Sequence, residues 1–197
     1  TDLCNYRCRY CMAPEGVKKT AHDAVCSLEE LRDMTAAAVA CGVRKVRITG
    51  GEPLVRRGIV DLCRMVKEIP GVKELCLTTN GSLLGSLALP LREAGVDRLN
   101  ISLDTLRPDR FRTITRLGEL SQVWEGIEAA EAAGFSQLKL NCVLMGGIND
   151  DEIEDFVNLT KTHPWQVRFI ELMPMGVCAG WDRRAFLPVE TVRQRCP

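Results

Sequence analysis

Apolar residues along this chain recur in two periods, a two-residue repeat in short runs and a three-to-four-residue repeat in longer stretches, and their alternation predicts strands and helices in turn. Ser27-Leu28-Glu29-Glu30 sets a serine three positions before a glutamate, a capping box that opens an alanine-rich helix ending at Gly42. Val43 to Thr49 then reads as a strand, and further strands are expected over Glu74–Thr79, Asp97–Leu103, Leu138–Leu144 and Gln166–Leu172. Helices are expected over Gly58–Ile69, Leu83–Ala94 and Asp151–Thr162, with a short one near Pro108–Ile114 and a Ser121-capped one reaching Ala133. No terminating element is expected over Arg193–Pro197. Short connections between alternating elements argue for an α/β fold with parallel strands.

The polar positions choose between a doubly wound sheet and a barrel of βα units. Side chains alternate faces along a strand, so Arg47 and Thr49 share one face, as do Cys76, Thr78 and Asn80, then Asn100, Ser102 and Asp104, then Lys139 and Asn141. The other face carries Val46 and Ile48, Leu75 and Leu77, Leu99, Ile101 and Leu103, and Leu138 and Leu140. A flat sheet covered by helices on both sides wants two apolar faces. One greasy and one wet face therefore predict a curved sheet, helices outside and a polar cavity inside. The polar residues gather toward the C-terminal ends of the strands, where barrel enzymes place their sites.

A chain of 197 residues is long enough for one sizeable core, so residues 1–197 are expected to form one domain. Lysine plus arginine equals aspartate plus glutamate at 26 each, which removes any bulk pull toward nucleic acid or an anionic membrane. Neither a signal peptide nor a long apolar run is visible, so a reducing cytoplasm is the expected compartment and ten cysteines are expected as free thiols. Cys26, Cys41, Cys63, Cys76 and Cys142 lie singly in or beside apolar patterns and suit packing. Thr1-Asp2-Leu3 enters the first cysteine run with no strand before it, which reads as a fragment of a longer protein.

Cys4, Cys8 and Cys11 stand in C-x3-C-x2-C spacing. Three thiolates can hold a [4Fe–4S] cubane and leave its fourth iron open to a small molecule, a catalytic arrangement. Zinc is the competitor, since three cysteines and a histidine make a structural site. His22 sits beyond a flexible stretch, however, and His163 is far along the chain. After the Val43–Thr49 strand comes Gly50-Gly51-Glu52-Pro53, where glycines permit close backbone approach and Glu52 or nearby carbonyls can accept from an ammonium group.

The cysteine run with Tyr10 before its last member, followed by Gly50-Gly51-Glu52-Pro53, resembles the radical S-adenosylmethionine (SAM) enzymes. That resemblance implies a partial six-stranded βα barrel, a [4Fe–4S] cluster on Cys4, Cys8 and Cys11, and SAM chelated to the open iron. It also implies SAM contacts at Tyr10, Gly51, Ser102 and Met173, with the reactive radical borne by the cofactors rather than by a catalytic side chain.

Longer phrases narrow the resemblance. Val46-Arg47-Ile48-Thr49-Gly50-Gly51-Glu52-Pro53-Leu54, Leu77-Thr78-Thr79-Asn80-Gly81, Asn100-Ile101-Ser102-Leu103-Asp104, Asn149-Asp150-Asp151-Glu152 and Phe169-Ile170-Glu171-Leu172-Met173-Pro174 are similar to the GTP 3′,8-cyclase family of molybdenum-cofactor biosynthesis. Family membership implies GTP contacts at Arg47, Thr78 and Lys139, a chemically sound set because arginine offers phosphate a planar donor fork and lysine a point charge. Arg168 lies on a strand whose parity the pattern leaves ambiguous. The implied reaction starts with hydrogen abstraction from ribose C3′ by a 5′-deoxyadenosyl radical and closes a bond to guanine C8. An electron donor is implied, as is a downstream partner, the cyclic pyranopterin monophosphate (precursor Z) synthase, and a homodimer is compatible. Full members bind a second [4Fe–4S] cluster in a C-terminal region that this chain lacks, while Cys178 and Cys196 stand isolated. The piece alone is therefore expected to be inactive as a cyclase. The alternatives are another radical SAM enzyme that modifies a peptide or cofactor precursor, and a non-catalytic zinc module.

Overall fold

The computed structural model describes residues 2–18, 20, 21 and 24–196, so His22 of the zinc alternative lies outside the described residues. Five strands, β1 (Lys45–Ile48), β2 (Glu74–Thr79), β3 (Arg98–Ser102), β4 (Lys139–Leu144) and β5 (Gln166–Glu171), follow one another in the sheet in chain order. The helices are α1 (Leu28–Ala40), α2 (Ile59–Lys67), α3 (Leu84–Glu93), α4 (Pro108–Thr115), α5 (Leu120–Ala132), α6 (Ile153–Thr162) and α7 (Glu190–Arg195). None of the described helices is long and apolar enough to cross a membrane.

Two compact units make up the chain. The first comprises residues 1–4, 18–100 and 122–136. Here Ser27 caps α1 reciprocally: its Oγ accepts from the Glu30 amide at 3.1 Å while Glu30 accepts from the Ser27 amide at 2.7 Å. Helix α2 places Ile59, Leu62, Cys63 and Val66 at helical spacing, and all four are buried. Strands β1 and β2 run parallel with Val46 opposite Leu75, Arg47 opposite Cys76 and Ile48 opposite Leu77, so the wet and greasy faces keep the predicted parity. Leu75 and Leu77 are fully buried. Asp97 ties β3 to β2, accepting from the Leu75 amide at 2.7 Å and donating its own amide to the Leu75 carbonyl at 2.9 Å.

The second unit comprises residues 5–17, 101–121 and 137–197. Parallel pairing of β4 and β5 sets Asn141 beside Arg168 and Cys142 beside Phe169. Phe169 meets Phe156 of α6 edge-on at 6.2 Å, which commits that face of β5 to the helix and turns Arg168 to the side of Lys139 and Asn141. The parity left ambiguous by sequence is thereby settled.

Three sequence expectations fail. Cys26 and Cys41, expected to pack, are exposed, while Cys63, Cys76 and Cys142 are buried. Ser121 does not cap α5, because Leu120 already has helical backbone; the burial of that leucine, 4 % exposed, outweighs the capping preference of its neighbour. Helix α7 was not expected, and it buries none of its residues, so it has no apolar period for the sequence to display.

Candidate functional site

In the first unit the Gly50–Pro53 turn docks on the chain just before Cys4. The Glu52 amide donates to the Leu3 carbonyl at 2.8 Å. A Cβ at residue 51 would stand 2.3 Å from that carbonyl oxygen and 2.9 Å from the Asp2 carbonyl oxygen, so only glycine permits the approach. The glycine requirement thus arises from the chain itself, and it joins the two sequence motifs. The Glu52 carboxylate, 1 % exposed, faces inward. Its Oε1 accepts from the Leu54 amide at 3.0 Å and the Thr79 hydroxyl at 2.7 Å, and its Oε2 from the Asn80 amide at 2.6 Å. Burial pushes its pKa up while these three donors pull it down. The Glu52 side chain, one of the two acceptors offered for an ammonium group, is therefore engaged in holding β2.

The second unit carries Cys8 and Cys11 on a tight turn: the amides of Cys11 and Met12 both donate to the Cys8 carbonyl at 2.9 Å. The C-terminus of α4 supports this turn. Amides of Arg7 and Arg9 donate to the carbonyls of Thr115 and Ile114 at 3.0 and 2.9 Å. Arg116, with left-handed backbone at φ 64°, donates from its guanidinium to the carbonyls of Arg7 at 2.6 Å and Met12 at 3.0 Å, on either side of the two cysteines. Tyr6 packs edge-on against Phe111 at 5.9 Å, and a Cβ at residue 118 would meet the Tyr6 ring at 2.7 Å.

Tyr10, between the two thiols, packs its ring against a cluster of Ile114, Met145, Leu172, Cys178 and Ala185 and donates its hydroxyl to Asp104 Oδ2 at 2.8 Å. Burial, then the Asp104 charge, raises the Tyr10 pKa well above its ordinary 10.0, so the phenol keeps its proton. Burial pushes Asp104 up to about 6, with the Val143 amide and the Tyr10 hydroxyl pulling the other way. Burial and the Asp104 charge also raise the Cys11 thiol, so its thiolate persists only where a cation's field holds it.

Cys4, Cys8 and Cys11 are in no disulfide, and none of them is fully buried. Among the described residues no group of three His, Cys, Asp or Glu side chains is placed to hold a single metal ion. The thiolates of a cubane each take a different iron and stand farther apart than the ligands of one ion. Soft thiolates in this spacing, two of them carried on one tight turn, suit an iron–sulfur cluster.

Arg47 is exposed along β1 and lines a groove of about 240 Å³ together with Thr49 and Arg56. Thr78 is half-buried, and its hydroxyl accepts from Asn100 Nδ2 at 3.5 Å, which leaves the buried Asn100 Oδ1 without a partner on the wet face. In the second unit Lys139 is only 8 % exposed, so it is no solvated surface cation, and the buried Oδ1 of Asn141 has no partner either. Ser102 ends β3 half-buried. Met173 lies 58 % exposed just after β5, in a run with the equally exposed Met175.

Sequence reasoning missed Arg116, for which a solitary arginine offers no signal. Asp104 was placed on the wet face by parity, but its bond to Tyr10 spans 94 positions and no local pattern encodes it.

The family model described as "Radical SAM superfamily" matches residues 1–160. Curated relatives include the GTP 3′,8-cyclases of Alkaliphilus metalliredigens, 50 % identical over 99 % of this chain and 61 % of the relative, and of Geobacter sulfurreducens, 58 % identical over 92 % of this chain and 56 % of the relative. The chain thus spans about 60 % of the length of the curated relatives it matches. Among solved structures, SuiB of Streptococcus suis bound to S-adenosylmethionine aligns over 99 % of this chain and 44 % of its own with TM-score 0.76 and 16 % identity. The [FeFe]-hydrogenase maturase HydG aligns over 98 % of this chain and 46 % of its own with TM-score 0.71 and 12 % identity. These likenesses show the fold, a βα barrel segment. With a C-x3-C-x2-C cysteine run, a glycine turn docked on the chain just before Cys4 and a family match over four-fifths of its length, the chain belongs to the radical SAM superfamily.

Proposed function

We propose that this chain is the radical SAM core, residues 1–197 acting as one domain, of a GTP 3′,8-cyclase that converts GTP to its 3′,8-cyclo-7,8-dihydro derivative for molybdopterin precursor biosynthesis. The observation that carries the reading is 50 to 58 % identity to proteins of that name across nearly the whole chain. Cys4, Cys8 and Cys11 would hold the [4Fe–4S] cluster, and Tyr10, Gly51, Ser102 and Met173 would line the SAM site. When bound, the cluster and SAM supply one-electron chemistry that removes a hydrogen atom from substrate. The chain supplies binding, orientation and exclusion of water. Arg47, Thr78 and Lys139 are the proposed GTP contacts. A cation buried as deeply as Lys139 on the wet face of β4 supports a phosphate role, and Arg168 on the same face joins it as a candidate. An electron donor, a second cluster in further chain, a cytoplasmic setting, a downstream precursor Z synthase and an optional homodimer complete the proposal.

The decisive experiment incubates the anaerobically reconstituted full-length protein with GTP, SAM and reductant and identifies the product. Cyclised dihydro-GTP is the expected result. SAM cleavage that GTP neither suppresses nor redirects would point instead to a peptide- or cofactor-modifying radical SAM enzyme. Residues 1–197 alone are expected to take up about four irons per chain and to form no cyclised product.

A further inference from the structure

The hydroxyl of Tyr10 is the unexplained atom of the cysteine turn. Packing against Ile114, Met145, Leu172, Cys178 and Ala185 asks only for a ring, which phenylalanine would supply equally. The hydroxyl instead reaches Asp104, a carboxylate only 5 % exposed and therefore costly to bury without partners. That carboxylate is itself held rigidly. Its Oδ1 accepts from the Val143 amide at 2.9 Å, and its backbone carbonyl accepts from Asn149 Nδ2 at 2.7 Å. Asn149 in turn accepts from the Met145 amide at 2.7 Å and donates to the Val143 carbonyl at 2.8 Å. Asp104 is thus an anchor clamped to the end of β4 and offered to one side chain of the turn.

We propose that Asp104 is a positioning residue for the cluster: through the Tyr10 hydroxyl it fixes the orientation in which the Cys8–Cys11 turn presents its sulfurs. The inference rests on reading Cys8 and Cys11 as cluster ligands. Besides this bond the turn is held by the pairing of Arg7 and Arg9 with α4, by the Cys11 and Met12 amides on the Cys8 carbonyl, by Arg116 at Met12 and by apolar packing of the Tyr10 ring, and the hydroxyl bond is the directional contact that fixes how that ring is turned. Tyr10 directly precedes Cys11, so a rotation there re-aims the Cys11 thiolate.

The test uses anaerobically reconstituted protein and follows two readouts, the rate at which a ferrous chelator strips the cluster and the low-temperature EPR spectrum of the reduced cluster. Tyr10→Phe and Asp104→Ala should each speed stripping about tenfold, the scale of one charge-assisted hydrogen bond. The double variant should be no faster than the faster single, because both remove the same bond. Asp104→Asn, which keeps an acceptor for Val143 and offers a donor to the Tyr10 oxygen, should stay within about threefold of the parent. Tyr10→Phe should also shift the EPR spectrum, which a role confined to ring packing would not produce because phenylalanine keeps the ring, and it should lower the unfolding midpoint because Asp104 Oδ2 loses its donor. Because Asp104→Ala also strands the Val143 amide, Tyr10→Phe is the decisive variant: parental stripping and an unaltered spectrum in it would overturn the proposal, as would multiplying rates in the double variant. Full iron content in Cys8→Ala or Cys11→Ala would overturn the underlying ligand reading instead.

Discussion

Each unit buries one carboxylate at the start of a helical turn and uses it to hold a threonine and the amide that follows. Glu52 takes the Thr79 hydroxyl and the Asn80 amide, and Glu152, fully buried, takes the Thr105 hydroxyl and the Leu106 amide, both at 2.6 Å. In both, the threonine oxygen then accepts from the amide two residues on, Gly81 or Arg107, at 3.1 Å. The third ligand differs. Glu52 takes the Leu54 amide, whereas Glu152 pairs with Arg110, which also grips Asp151 at 2.6 Å, while Arg107 reaches Asp151 at 3.0 Å. One clamp thus neutralises its charge with a guanidinium and the other balances it with neutral donors alone. The difference fits the proposed SAM contact at Gly51: a fixed protein cation holding β2 beside that turn would repel an ammonium group, and Glu52 holds β2 through neutral donors.

Removing each carboxylate sharpens the contrast. Glu152→Ala takes one of the two carboxylates from Arg110 and leaves two donors unmet, and should cost about 4 kcal/mol in urea unfolding. Glu52→Ala leaves only neutral donors unmet and should cost about 3 kcal/mol. Adding Arg110→Ala to Glu152→Ala should return about 1 kcal/mol, and a further loss there would break the comparison.

Asp104 extends the contrast to pH. Its folded pKa of about 6 lies above its ordinary 3.8, so the fold binds the proton more tightly than the unfolded chain. That contribution is complete below pH 3.8 and is lost as pH rises through about 6, an upper bound of roughly 3 kcal/mol at 1.36 kcal/mol per unit. Urea midpoints measured across that window should fall with rising pH in the parent and lose this slope in Asp104→Asn.

Gly51→Ala drives a methyl into the Leu3 carbonyl and should cost about 2 kcal/mol, with reduced iron per chain because the segment leading to Cys4 must move. Iron content equal to the parent would separate the glycine turn from the cysteine motif. The smallest effect is far from both clamps: Ser27→Ala should lose about 1 kcal/mol of helix stability and leave cluster uptake unchanged.

The elements with strong local signals were legible. The capping box at Ser27 formed as written, β2 matched its expected bounds, and the wet and greasy faces of β1 and β4 followed period two. The start of α5 was misread because a local cap competed with the burial of Leu120, and α7 was missed because it buries nothing. In the site, the cysteines, Gly51 and Tyr10 were visible as motifs. What each touches was not: Glu52 turned to β2, and the chain's own Leu3 carbonyl requires the glycine at 51.

By itself the sequence determined the alternation of strands and helices, the one-sided polarity of the strands and the cysteine spacing that suits a cubane, because periodicity and ligand spacing are local properties of a chain. Only the tertiary structure decided which partner each buried polar group takes, that Arg168 shares the face of Asn141, and that Asp104 anchors Tyr10. Those choices depend on contacts between residues distant along the chain, where packing and the need to satisfy every buried charge, rather than any local preference, select the pair.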